Sequence, residues 1–286
     1  MDSDSDSELG RVVGERYELV RLLGSGASGA VYEGRDRKRR ERVAVKLLHP
    51  YLLESDGAVA RFFREIRAAQ EIRHPGVVEF RASGLTDDGR PYLVQEFLYG
   101  HDMQQALEAG SLGLPEVFEI AQQLLDSLAA IHGVGLVHRD VKPENLYLLH
   151  DEFGGLRTKL VDFGLVKPRQ GAVQQLTGVG TAVGTPYYMS PEQAQGADVD
   201  ARADLWSVGV LLFEALTGSF PFDHENPLVL LTQIVMHPAP SVATRRADLP
   251  PGLVGVIDRA LTRNLADRWT SAAEMAQALR ASVGLK

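Results

Sequence analysis

Cysteine is absent from all 286 residues, which excludes a disulfide scaffold, a thiolate metal site and a cysteine nucleophile together, and fits a reducing compartment. Long apolar runs are missing too. The best candidate, residues 208–216, is shorter than the ~18 residues a spanning helix needs and carries Glu214. Basic charge is not in excess: 30 Lys and Arg against 38 Asp and Glu leave a net charge of −8. That balance argues against nucleic acid or an anionic membrane as the main partner, because both reward a basic surface. The N-terminus lacks the positive charge and apolar stretch of a signal peptide, since Met1-Asp2-Ser3-Asp4-Ser5-Asp6-Ser7-Glu8 is acidic and polar. No internal repeat is visible.

With 44% hydrophobic and 24% charged residues the chain reads as globular. Its length slightly exceeds the size at which one core stops growing, so one large or two unequal units are expected. Residues 1–14 are read as an acidic disordered tail. Short β-prone runs follow at residues 17–23, 30–32 and 42–48, then an amphipathic helix over about 56–72 carrying Phe62, Ile66 and Ala69, then strands at 77–80 and 92–98. The basic run from Arg35 to Arg40 is read as a solvated hairpin tip. From Gly100 the pattern turns helical, beginning with a stripe from Val117 to Ile131 behind Pro115. Further helical patterns cover 201–216, 227–236, 253–262 and 271–279. Strands first and helices second imply an α+β chain with a five-stranded, one-helix first part (residues 15–98), a mostly helical second part (99–286) and a cleft between them.

Three stretches carry chemistry. Gly24-Ser25-Gly26-Ala27-Ser28-Gly29-Ala30-Val31 fits G-x-G-x-x-G-x-V and leads into a strand instead of a helix. A dinucleotide fold is thereby disfavoured, and a Walker A loop is excluded because no Lys-Ser or Lys-Thr follows. What remains is a hairpin tip bare of side chains, whose backbone N–H groups can approach phosphate oxygens. Lys46 sits mid-strand among apolar residues, where an ammonium either pairs, with Glu65 on the following helix as the nearest candidate, or snorkels to the sheet edge. The third stretch runs from His138-Arg139-Asp140-Val141-Lys142-Pro143-Glu144-Asn145 to Asp162-Phe163-Gly164. Two short apolar strands between its ends, around the turn 151–155, predict a hairpin that brings Asn145 and Asp162 together as a metal–phosphate site.

These motifs, in this order and approximate spacing, resemble the protein kinase family over about residues 17–279. Ser190-Pro191-Glu192, Asp204-Leu205-Trp206-Ser207-Val208-Gly209 and Arg268 extend the match. Lys142 two residues after Asp140, with the stretch from Gly184 to Glu192, is similar to the serine/threonine branch, and most of all to bacterial eukaryotic-like serine/threonine kinases. The resemblance implies a bilobal fold, ATP as phosphoryl donor, and Mg²⁺ (or Mn²⁺) held by Asn145 and Asp162. It implies Asp140 as the residue that orients the substrate hydroxyl and takes its proton, Lys142 as neutraliser of the moving phosphoryl, and Thr185 as a bridge between them. Lys46, held by Glu65, would contact the α- and β-phosphates. Leu23, Gly24, Ser25, Gly26, Ala27, Ser28, Gly29, Val31, Ala44 and Tyr147 would surround the nucleotide. The Glu96 carbonyl and Leu98 amide would meet adenine, and Asp102 the ribose.

Thr177 or Thr181 would accept an activating phosphate that Arg139 receives. His138, His132, Trp206 and Trp269 are read as structural, and Glu192 with Arg268 as a structural ion pair. Two departures stand out: Gln95 replaces the usual apolar or threonine gatekeeper, and Tyr147 replaces a smaller residue under adenine. A pseudokinase scaffold and a small-molecule kinase are the rival readings. Protein substrates bearing Ser or Thr, pairing of two copies through the N-lobe, and a place in the cytoplasm or in the cytoplasmic domain of a longer membrane-anchored protein complete the expectations.

Overall fold

The computed structural model describes residues 8–26, 28–49, 58–163 and 186–282. The chain divides into two compact units, one running to Ile72 and including Val78–Tyr99, the other comprising Arg73–Val77 and most of the chain from Gly100 onward.

The first unit is an antiparallel sheet of six strands: β1 (Val12–Val13), β2 (Tyr17–Gly26), β3 (Gly29–Asp36), β4 (Glu41–Leu48), β5 (Phe80–Leu85) and β6 (Pro91–Glu96), in the order β1-β2-β3-β4-β6-β5. Five strands were expected; the extra one is β1, whose two residues pair with Tyr17 and Glu18. Val12 and Val13, within the stretch assigned to the tail on composition, therefore lie in the sheet, and Glu8 reaches Arg90 at 2.8 Å. A second difference lies at β5, which begins at Phe80 where the sequence reading ends its strand. Val77 instead bridges Leu160 in the second unit's own chain order.

Alternation along β4 sends Val43, Val45 and Leu47 to one face, where they pack with Tyr17, Leu19, Tyr32, Tyr92 and Val94. Ala44 and Lys46 point the other way. Helix α1 (Ala58–Ala69) lies against β5 and buries Phe62, Ile66 and Ala69, spaced four and three apart on one helical face. β6 is buried from Pro91 through Gln95, as a strand covered on both faces must be.

The β3–β4 turn is organised by Asp36. Its carboxylate, 1% exposed, accepts from Arg16 Nε and Nη2 at 2.8 and 2.6 Å and from the backbone N–H groups of Lys38 and Arg39. The Arg16 guanidinium, followed by those backbone donors, holds the Asp36 carboxyl at about 2 against burial that would raise it. Because the folded value lies below the unfolded one, the stabilisation is complete above the unfolded pKa of ~3.9 and vanishes as pH falls through about 2. Asp36→Asn should thus cost about 2 kcal/mol at pH 7. Denaturant titrations repeated down to pH 2 should show the variant and the parent converging.

The second unit begins with β7 (His101–Asp102), which pairs with β8 (Leu146–His150); β8 in turn pairs with β9 (Leu156–Leu160). Among the described residues its helices are α2 (Met103–Glu108), α3 (Leu114–Gly133), α4 (Pro191–Gln195), α5 (Arg202–Thr217), α6 (Pro227–Met236), α7 (Pro251–Ala260) and α8 (Ala272–Ser282). Pro115 opens α3, where its missing N–H costs nothing, and the predicted stripe from Val117 to Ile131 is its buried face. Gln123 on that helix donates to Leu156 O at 2.9 Å and accepts from Thr158 N at 2.8 Å, so one side chain pins β9 to α3. Ser190 caps α4 in a capping box with Gln193, and Gly196 ends it in the left-handed region.

Helix α5 is buried over most of its length and is the axis of this unit. Arg268, fully buried, donates to both oxygens of Glu192 at 2.8 and 3.3 Å and also to Arg202 O and Thr262 O. The expected ion pair is present, and its remaining donors are satisfied, which makes burial of the charge tolerable. Among the described residues no helix is long and apolar enough to cross a membrane.

Candidate active site

In the first unit, β2 and β3 form the glycine-rich hairpin with Gly24 opposite Val31, Ser25 opposite Ala30 and Gly26 opposite Gly29. Gly26 and Gly29 are the last pair of this register, and Ala27 lies outside the described residues. Gly29 has φ +141°, and a Cβ there would sit 2.0 Å from Leu47 O, so only glycine fits. At Gly24 and Gly26 a Cβ would meet nothing within 4 Å. They leave the surface of the hairpin bare of side chains at these two positions.

Leu23 is exposed at the end of this hairpin. Lys46 is buried on β4, with Ala44 two residues before it on the same face, and Glu65 is half-buried on α1. Glu96 ends β6, and its side chain accepts from Glu79 N at 2.8 Å. Leu98 follows it in the stretch leaving the sheet.

The second unit gathers the remaining residues around the β8–β9 hairpin. The predicted pairing is present, in register from Leu146 opposite Leu160 to His150 opposite Leu156. Its open end is closed by Val161 N donating to Asn145 O at 2.9 Å, which brings the chain at Asn145 alongside that at Asp162. Asp162 has φ +54°, a left-handed conformation that aspartate tolerates better than most residues. Local backbone strain of this kind concentrates where geometry serves function.

Asn145 donates through Nδ2 to Asp140 O at 2.8 Å and to the Asp140 carboxylate at 3.0 Å. The amide is planar, so its oxygen is turned to the opposite side. Lys142 Nζ lies 3.8 Å from the same Asp140 carboxylate. One carboxylate thus sits between an amide and an ammonium, both oriented towards it. The donor set fits a small hard cation: an amide oxygen at Asn145 and a carboxylate at Asp162 are the few protein oxygens Mg²⁺ commonly takes when phosphates supply the rest. Among the described residues there is no cluster of three or more His, Asp or Glu side chains that would make a self-sufficient metal cage.

The loop carrying Asp140 is held from beneath. His138 is fully buried; its Nδ1 accepts from Asp140 N at 3.3 Å and its Nε2 donates to Val161 O at 2.9 Å. Burial pushes its pKa down, so the ring is the neutral tautomer that can accept at one nitrogen and donate at the other. Asp204 at the start of α5 accepts from His138 N at 2.9 Å, Arg139 N at 2.8 Å and His132 Nε2 at 2.8 Å. The sequence reading found Asp204 only as part of a motif and read His132 as structural without naming its partner. The available signal was an acidic residue entering a long, largely apolar helix, where a carboxylate must have partners.

Arg139 takes φ +64°, and its Nε is buried without a hydrogen-bond partner among the described residues. Its carbonyl accepts from Gln193 Nε2 at 3.0 Å, tying the loop to α4. Tyr147 is half-buried on β8 opposite Asp102, and burial raises its pKa, with Asp102 and Asp162 adding to the effect. Asp102 itself caps α2, accepting from Gln105 N at 2.9 Å and from Gln105 Nε2 at 3.0 Å, so it has a structural use whatever else it binds. Gly164, Thr177, Thr181 and Thr185 lie outside the described residues.

Comparison with known proteins bears on the chain as a whole. The family model described as the protein kinase domain matches residues 17–281. Serine/threonine-protein kinase pkn3 of Myxococcus xanthus is 35% identical over 94% of this chain and 50% of its own length. Serine/threonine-protein kinase pkn2 of the same organism is 38% identical over 95% of this chain and 33% of its own length. The chain therefore spans half or less of these curated relatives. Among solved structures, the PknI kinase domain of Mycobacterium tuberculosis superposes with a TM-score of 0.75 at 30% identity, covering 96% of this chain and 98% of that one.

Proposed function

We propose, from the premise that this chain belongs to the protein kinase domain family, that it transfers the γ-phosphoryl group of ATP to serine and threonine hydroxyls of protein substrates. The observation that carries this reading is the contact of Asn145 and Lys142 with one Asp140 carboxylate beside the strand end that bears Asp162.

Phosphoryl transfer asks a protein for positioning and charge neutralisation more than for covalent chemistry. Asp140 would orient the attacking hydroxyl and accept its proton. Lys142, already directed at that carboxylate, would follow the moving phosphoryl group and offset its charge. Asn145 and Asp162 would hold Mg²⁺, which when bound neutralises phosphate oxygens. Lys46, held by Glu65, would contact the α- and β-phosphates, with the backbone of Gly24–Gly29 above them. Adenine would meet the Glu96 carbonyl and Leu98 amide, with Ala44 and Tyr147 against its faces, Asp102 at the ribose, and Thr185 between Asp140 and Lys142. ATP as donor places the domain on the cytoplasmic side, as a cytoplasmic protein or as part of a longer membrane-anchored one.

Activation by autophosphorylation is part of the same reading. A phosphothreonine carries about −1.5 to −2 charge and accepts charge-assisted hydrogen bonds. The buried Arg139 Nε has a donor available for it. Incubation with ATP and Mg²⁺ followed by phosphopeptide mapping should find phosphate on Thr177 or Thr181. An active enzyme with neither residue modified would rule this mode of activation out.

A further inference from the structure

Gln95 is the one buried side chain of β6 whose amide nitrogen lacks a hydrogen-bond partner among the described residues, although the residue is only 6% exposed. Leaving a buried N–H unpaired is costly, so an orphan donor inside a folded sheet points to an acceptor that arrives from outside the chain.

The sheet register says where that acceptor would lie. Gln95 stands opposite Ala44, and Leu93 stands opposite Lys46, so Gln95 and Lys46 are on diagonal positions of the same face of β4 and β6. Val43, Val45 and Val94 occupy the other face and are committed to the apolar core. A nucleotide whose phosphates reach Lys46 and whose base reaches the backbone at Glu96 and Leu98 has to cross Gln95. Its purine edge presents, in order, N1, the 6-amino group and N7. With N1 at the Leu98 amide and the 6-amino group at the Glu96 carbonyl, the next position inward, N7, falls to residue 95. N7 is an acceptor and carries no hydrogen; the Gln95 amide is a donor without an acceptor.

We propose that Gln95 is a specificity-determining residue that donates its side-chain N–H to purine N7, so that this chain reads the Hoogsteen edge of its nucleotide by a hydrogen bond where an apolar side chain would offer only contact. The assignment rests on the kinase reading above. It also accounts for a polar residue surviving in a buried strand, since the bound nucleotide satisfies the group that the free protein leaves unpaired.

The test uses ATP and 7-deaza-ATP, in which N7 is replaced by C–H, and measures their dissociation constants by calorimetry with the unmodified protein and with Gln95→Leu. The unmodified protein should bind 7-deaza-ATP roughly fivefold to tenfold more weakly than ATP, the worth of one hydrogen bond with a buried donor. Gln95→Leu should bind the two within about twofold of each other. Equal binding of both nucleotides by the unmodified protein, or the same discrimination in both proteins, overturns the assignment while leaving the kinase reading intact. Failure to bind either nucleotide, alongside a normal melting transition, overturns the kinase reading and this assignment with it.

Discussion

Asp140→Asn should lower the rate of phosphoryl transfer by roughly 10²- to 10⁴-fold, the range a positioned general base contributes, and leave the dissociation constant for ATP within about threefold. The reasoning is local. Asparagine keeps the volume and hydrogen-bonding reach of aspartate, so the contact with Asn145 Nδ2 at 3.0 Å can be remade through the amide oxygen. What it cannot supply is a site for the substrate proton or a negative charge for Lys142, which lies 3.8 Å away. The residues proposed to bind nucleotide, Lys46, Glu96 and Leu98, are untouched. A single-turnover assay together with calorimetry separates the two quantities. A variant that turned over within tenfold of the parent would remove Asp140 from the role assigned to it.

The second large effect is on the scaffold beneath that residue. Asp204 is fully buried and accepts three hydrogen bonds, two from the backbone of the loop bearing Asp140 and one from His132. Asp204→Ala would strand the His138 and Arg139 N–H groups without an acceptor in a dry interior. Removing one partner of a buried charged network typically costs about 3–5 kcal/mol. Against a total stability on the order of 5–15 kcal/mol that is a large share, and it corresponds to a fall in melting temperature of roughly 10 °C. Transfer should fall as well, because the loop loses its anchor to α5. Calorimetric scans of the two proteins would expose the effect; a drop below about 2 °C would show that the loop holds itself in place without Asp204.

The history of these two residues in the sequence differs for a physical reason. Asn145 and Asp162 were legible as neighbours because local signals frame them, and Asp140, five residues before Asn145, took its role from the family resemblance. The turn at 151–155 and the apolar runs on each side require a hairpin, and a hairpin of that length returns the chain to Asn145. Asp204 stands 66 residues from His138 and 72 from His132, and nothing local in either stretch names the other as partner. Sequence pattern reveals that a carboxylate on a buried helix needs donors; it does not say which loop provides them.

The strands show the same division. β2, β3, β4 and β6 follow from alternating or continuous apolar runs between turn residues. β1 has two residues and therefore no period to detect; it exists because the N–H of Leu19 donates to Arg11 O and that of Gly10 to Leu19 O. β5 was displaced because Arg81, Ala82, Ser83 and Gly84 have little strand propensity, whereas Val77 and Val78 just before them have much. The pairing with β6 overrides that preference. The ion pair of Arg268 with Glu192, 76 residues apart, was foreseen through family resemblance and not through spacing. Gln95 was noticed as a departure from the family pattern, but its unpaired nitrogen becomes visible only when its neighbours across the sheet are known.

The most direct test of the central claim is transfer itself. The purified chain is incubated with γ-³²P-labelled ATP, Mg²⁺ and a protein or peptide mixture rich in serine and threonine, and the labelled products are hydrolysed for phosphoamino-acid analysis. Label should appear on phosphoserine or phosphothreonine and be absent when Asp140→Asn replaces the parent. Bound nucleotide with no transfer from a chain phosphorylated in its activation segment, or label confined to phosphotyrosine or to small molecules, would contradict the account.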